Sequence, residues 1–131
     1  MREILFRGKD LLNDQWIEGY LMKDDYENYV IFTDDVDCFA HWDYGALRLW
    51  GARNIYNETA GQFTGLTDKK NGKKIFEGDI VKIANKNFEV KYEFGQFCVG
   101  INMPIAYKRF ECEVIGNIHD NPELLKEHEN V

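Results

Sequence analysis

The chain has 131 residues, 44% hydrophobic and 15% aromatic, which is enough apolar material for one compact core or two small lobes and excludes a disordered protein. Its formal net charge of −7 argues against non-specific binding to a phosphate backbone, which needs clustered Lys and Arg. No apolar run approaches the ~20 residues of a membrane span, and Met1-Arg2-Glu3-Ile4 lacks the apolar block of a signal peptide, so a cytoplasmic protein with no membrane partner is expected.

Ile4-Leu5-Phe6-Arg7 and Gln15 to Leu21 read as a strand pair joined at the Asn13-Asp14 turn. Leu11-Leu12 is either the end of the first strand or a loop hydrophobe packed underneath. Lys23 to Asn28 is a polar turn, and Tyr29-Val30-Ile31-Phe32-Thr33 is a buried strand. Asp34 to Gly45 mixes acids with large aromatics and reads as a loop. Ala46-Leu47-Arg48-Leu49-Trp50 returns to an apolar alternation, and Ile55 to Gly61 leads into the densest turn chemistry in the chain.

That stretch is Thr64 to Ile83. Asp68-Lys69-Lys70-Asn71-Gly72 has the polar residues and the glycine that a hairpin loop demands. Glu77-Gly78-Asp79 is a second tight turn, with Gly78 at positive φ and Asp79 accepting a backbone N–H. In Ile80-Val81-Lys82-Ile83, Ile80 and Ile83 cannot share a face, so both sides of that strand are expected to be covered. Asn85-Lys86-Asn87 is a turn, and Phe88, Val90, Tyr92 and Phe94 alternate as one face of a further strand, placing Ile80, Val81, Ile83, Val90 and Tyr92 in one buried cluster. Phe97 to Ile101 is its partner, Asn102 to Lys108 a loop broken by Pro104, and Glu113 to Ile118 the last strand. Asn121 as N-cap, Pro122 at the first helical position and Glu123 at the positive end of the dipole mark a short helix. Its leucines, Leu124 and Leu125, need a surface to dock on, either in this chain or in another copy.

Together with Gln62-Phe63 before it and Glu113-Val114-Ile115-Gly116-Asn117-Ile118-His119-Asp120-Asn121-Pro122-Glu123-Leu124-Leu125 at the far end, the central stretch resembles the YopX family of phage and prophage proteins. In the first half the likeness rests mainly on Arg2-Glu3-Ile4-Leu5-Phe6-Arg7. The resemblance implies a small SH3-like β-barrel in the second half and a phage or prophage accessory role inside the host cell. The family has no assigned activity, so no catalytic residue carries over. The expected architecture is therefore mainly β: an N-terminal β-rich lobe over residues 1–60, and a small barrel closed by a short C-terminal helix over residues 61–131.

The three cysteines, Cys38, Cys98 and Cys112, are odd in number with no C-x-x-C pair, so neither a disulfide scaffold nor a structural zinc site is signalled. Cys98 and Cys112 read as small core residues. Asp34, Asp35, Asp37, His41 and Asp43 place carboxylates and an imidazole close together, yet their spacing matches no ligand motif, and a solvated acidic loop is the favoured reading over a metal site. None of His41, His119 and His128 has a nucleophile context, and no phosphate-binding glycine loop occurs, so no cofactor is expected.

Charge is uneven along the chain. Residues 1–63 carry 6 basic against 12 acidic side chains, and residues 64–95 carry 7 against 5. Lys69, Lys70, Lys73, Lys74 and Lys82 beside Phe63, Phe76 and Phe88 could serve single-stranded nucleic acid, although interleaved acids weaken that reading. The aromatic, acidic first half suits a protein partner better, because Trp and Tyr dominate interface hot spots and acids steer toward a basic surface. Asp34, Asp35, Asp37, His41, Trp42 and Asp43 are its candidate surface, and Trp16, Trp42 and Trp50 can alternatively be core. The expectation is a non-enzymatic protein-binding module with a host or phage partner, self-association remaining open. A nucleic-acid-binding barrel is the runner-up, and a metal-dependent enzyme on the acidic loop comes third.

Overall fold

The computed structural model describes residues 3–33, 39–100, 103–108 and 111–129, with the backbone alone at 39, 40, 43, 47–49, 107 and 127–129. They form a mainly β protein with one short helix among the described residues. The chain divides into two units, one of Ile4–Gln62 and one built on Phe63–Val131.

In the first unit β1 (Phe6–Lys9), β2 (Trp16–Lys23), β3 (Tyr29–Phe32), β6 (Arg53–Asn54) and the start of β7 (Gly61–Thr67) form an antiparallel sheet in the order β6-β3-β2-β1-β7. Local polar side chains make its turns. The Asp10 carboxylate accepts the Leu12 N–H at 2.9 Å, Asn13 accepts the Gln15 N–H at 3.0 Å, and Asp14 takes a φ of 59°. Leu11 and Leu12 are thus turn residues, neither strand nor packed underneath, and Leu12 is 92% exposed. Asp24 closes the next turn by accepting the N–H groups of Tyr26 and Asn28 at 2.8 and 2.9 Å; these bonds, that of Asn28 foremost, hold its carboxyl below the ordinary aspartate range.

The core of this unit lies around Ile31 and Ile55, both buried. Gly19 sits where a Cβ would stand 2.3 Å from the Phe32 carbonyl oxygen, so β2 and β3 approach closer than any side chain permits. Asp10, fully buried, is met by the Arg53 guanidinium at 3.1 Å. A buried carboxylate left without such a partner would cost several kcal/mol.

Between β3 and β6 the stretch expected to be a loop contains β4 (Phe39–Asp43), which pairs with β5 (Ala46–Trp50) from Phe39↔Trp50 to Asp43↔Ala46. Tyr44 and Gly45, at φ 50° and 80°, form the two-residue reversal. Positive φ at both positions gives the turn twist that antiparallel strands prefer.

In the second unit β7 continues to Thr67 and pairs with β8 (Lys74–Phe76), with the rings of Phe63 and Phe76 5.6 Å apart. β9 (Asp79–Ile83) lies between β10 (Lys86–Glu89) and β14 (Glu113–Asn117); a separate sheet runs β11 (Lys91–Glu93), β12 (Gln96–Val99), β13 (Met103–Pro104). Both faces of β9 are covered as expected: Ile80 and Val81 are fully buried and Ile83 is 6% exposed. The principal cluster gathers Ile75, Val81, Ile83, Val90, Val99, Ile105 and Cys112.

The barrel does not close; among the described residues both sheets are open. The reason lies at Val90, where the expected continuous strand is cut. Its N–H donates to the Asp79 carbonyl at 2.8 Å and its carbonyl accepts the Gly78 N–H at 2.9 Å. The chain is thereby tied across the head of β9 and leaves to pair with β12. Val90 is buried and Phe88 packs half-buried against the cluster, but Tyr92 is 52% and Phe94 86% exposed, Phe94 standing in the next turn at φ 54°. Tyr92 accordingly lies outside the cluster assigned to it, and so does Ile80, which is buried on the face of β9 opposite Val81 and Ile83. The neighbouring turn is also displaced, with Ala84 and Asn85 reversing the chain and Lys86 and Asn87 already in β10.

The helix α1 (Glu123–Glu129) forms where its signals place it. It packs on β10, where the Asn87 side-chain amide donates to the Leu124 carbonyl at 3.0 Å. Asn121 acts differently from the expected N-cap, since its side-chain oxygen accepts the Asn117 N–H at 3.3 Å.

Candidate functional site

Trp42 and Tyr44 are 69% and 98% exposed, and Trp50 is 52% exposed. All three belong to the β4–β5 ribbon, which among the described residues pairs with no third strand. The alternation of a strand directs neighbours to opposite faces. His41 stands opposite Arg48 and Trp42 opposite Leu47, so the exposed His41 and Trp42 present themselves on different sides of the ribbon. Trp50, opposite Phe39, falls on the His41 side. Asp43 belongs to β4 with its side chain outside the described atoms, and Asp34, Asp35 and Asp37 lie outside the described residues. Trp42 and Trp50 are therefore surface residues, whereas Trp16 is half-buried, its ring covered by the Arg7 guanidinium at 4.7 Å.

Two members of this surface, Tyr44 and Trp50, were not singled out from the sequence. The Tyr44-Gly45 pair was the available signal, since a residue followed by Gly between two apolar runs marks a two-residue hairpin.

The central lysines group around one buried carboxylate. Asp68 is 1% exposed and accepts the N–H groups of Lys70 at 2.6 Å, Asn71 at 3.1 Å and Val114 at 2.7 Å, and the Asn71 side-chain amide at 3.2 Å. Burial pushes its carboxyl upward, but the donors of Val114, Asn71 and Lys70 outweigh it and hold the group below the ordinary aspartate range. Lys69 and Lys70 are exposed on the resulting loop, followed by exposed Lys73 and Lys74. Lys70 reaches Glu113 at 3.3 Å, Lys82 stands opposite the same glutamate across β9 and β14, and Lys74 lies 6.0 Å from the Phe63 ring centre. Glu113 thus offsets part of the positive charge that a nucleic acid would meet.

Gly78 has a φ of 92°, and the buried Asp79 carboxylate accepts the Phe76 N–H at 2.8 Å. Both residues hold the turn before β9. Cys98 and Cys112 are buried among apolar side chains. Burial pushes the Cys112 thiol up to about 11, with the nearby Asp68 and Glu111 carboxylates adding to the effect, so it is protonated and unreactive at neutral pH. Among the described residues no three His, Cys, Asp or Glu side chains are placed to hold a metal, and no helix is long and apolar enough to cross a membrane.

The model of the family described as YopX protein matches residues 5–126. No curated protein matches the chain.

Proposed function

The chain belongs to the YopX family, and from that premise we propose that it is a non-enzymatic protein-binding module whose contact surface is the β4–β5 ribbon. The observation that carries this reading is the exposure of Trp42 and Tyr44 at 69 and 98% on a two-stranded ribbon, with Trp50 at 52% on its other face. An isolated two-stranded hairpin is marginally stable in water, and burying large amphipathic rings against a partner would both hold it and supply binding energy. The acidic balance of the first 63 residues, 12 acidic against 6 basic side chains, favours a basic partner surface. On this reading the protein is a phage or prophage accessory factor acting in the host cytoplasm on a host or phage protein.

The test begins with affinity capture by the full chain from host lysate and identification of the retained protein. Its affinity is then measured for wild type and for Trp42→Ala/Tyr44→Ala. Two hot-spot residues at ~2 kcal/mol each would weaken binding by roughly three orders of magnitude, while the exposed positions leave the melting temperature unchanged. Equal affinity of the two proteins sinks the proposal. Salt-dependent retention on DNA or RNA columns in place of a protein partner would favour the lysine loop, and a melting temperature raised by a divalent metal would favour the acidic stretch.

A further inference from the structure

The second unit contains a cavity of about 390 Å³ whose apolar wall is formed by Ile83, Phe88, Val99, Gly100 and Met103. That volume lies within the range of sites that enclose small organic ligands. Lys86 and Lys108 also line it, so an apolar wall is combined with two lysine side chains brought in from β10 and from the 3-10 turn Ile105–Lys108. Among the described residues Lys86 has no carboxylate partner. Lys108 meets Glu111 at 3.6 Å, with the two side chains 37% and 56% exposed; a pair so open to water is worth little, and an incoming anion can compete with it.

A further feature of the wall concerns its backbone. Ala84 lines the cavity at a φ of 51°, a left-handed conformation that costs a non-glycine residue on the order of 1 kcal/mol. Glycine would remove that cost, yet the chain retains a methyl group at the cavity. That conformation belongs to the two-residue reversal between β9 and β10, where Ala84 and Asn85 both take positive φ.

We propose that this cavity binds a small amphipathic carboxylate, with a flat or short-chain apolar body against Phe88, Val99 and Met103 and its anionic head between Lys86 and Lys108. A neutral ligand would leave the Lys86 ammonium without a counter-charge, and a cationic one would be repelled. The cavity belongs to the second unit and the β4–β5 ribbon to the first, and neither reading depends on the other.

The test is calorimetric titration of the full chain with naphthalene-2-carboxylate as probe, beside the uncharged 2-naphthalenemethanol and the cationic 2-naphthylmethylamine. The carboxylate is expected to saturate one site and to bind roughly tenfold tighter than the alcohol, as a charge-assisted contact implies. In Lys86→Gln/Lys108→Gln that advantage disappears while the affinity of the alcohol is unchanged. Met103→Trp fills the cavity and abolishes binding of all three probes; Met103 is 42% exposed, so the change is tolerated by the fold. Should that variant fail to fold, the lysine variants still decide the question. Equal affinity for the three probes, no saturation by ~1 mM, or an undiminished carboxylate preference in the lysine variant overturns the proposal. So does binding of an acidic peptide in place of the small carboxylate.

Discussion

Replacing Asp68 by Ala removes one side chain and leaves three backbone N–H groups without their acceptor. The donors of Lys70 and Asn71 lie on an exposed loop and can turn to water, so each loss is about 1 kcal/mol. The Val114 N–H is different, because it reaches the carboxylate at 2.7 Å from within β14, beside the buried Cys112. Leaving such a donor unsatisfied costs about 1–3 kcal/mol. The sum, roughly 3–5 kcal/mol, is a large share of the ~5–15 kcal/mol that holds a domain of this size. Urea unfolding followed by far-UV circular dichroism would show it as a lower midpoint at unchanged slope. The pH dependence adds a sharper check. The folded carboxyl lies below its ordinary value, so its contribution is fully present above the unfolded value near pH ~4 and is lost as pH falls through the folded value. The stability gap between wild type and Asp68→Ala should therefore be constant from neutral pH down to pH ~5 and shrink below pH ~4. A gap under ~1 kcal/mol, or one that persists undiminished to pH ~2, would refute the assignment of Asp68 as the anchor of this loop.

Ile80→Ala empties a fully buried site on β9 and should cost about 2–5 kcal/mol; a loss below ~0.5 kcal/mol would remove Ile80 from the core. At pH 8 only about a thousandth of a thiol titrating near 11 is ionised, and Cys112 is fully buried. In native protein it should resist iodoacetamide for hours and react within minutes after denaturation, as peptide mass mapping of Cys112 would show; equal labelling of the two states would contradict the burial.

What could be read from the sequence was what local chemistry decides. Asp68 to Gly72 and Gly78-Asp79 declare their turns because carboxylates, amides and glycine act within a few residues, and the doubly covered β9 is legible because Ile80 and Ile83 cannot share a face. The break at Val90 was not legible. Its amide is claimed by the Asp79 carbonyl, a partner that alternation over Phe88 to Phe94 cannot reveal, and the barrel expected from family resemblance fails to close for the same reason. Phe39 to Asp43 hid a strand because acids and aromatics blurred its period. At the candidate surface Trp42 and His41 were found from their types, but their opposite faces required the register with β5. The cavity joins Lys86 to Lys108 through tertiary packing alone, and neither lysine carries a local mark of it.

The position of β9 has a consequence for how the protein is made. Its partner β10 follows directly, so that hairpin can form within microseconds of both strands becoming available. Its other partner, β14, ends at Asn117, 34 residues after Ile83. At ribosomal speeds of about 5–20 residues per second, one edge of this strongly apolar strand waits roughly 2–7 s for its mate. During that interval the nascent chain presents an unpaired edge that a second chain could extend. Lys82, the single charge within Ile80-Val81-Lys82-Ile83, then acts as a gatekeeper against intermolecular pairing.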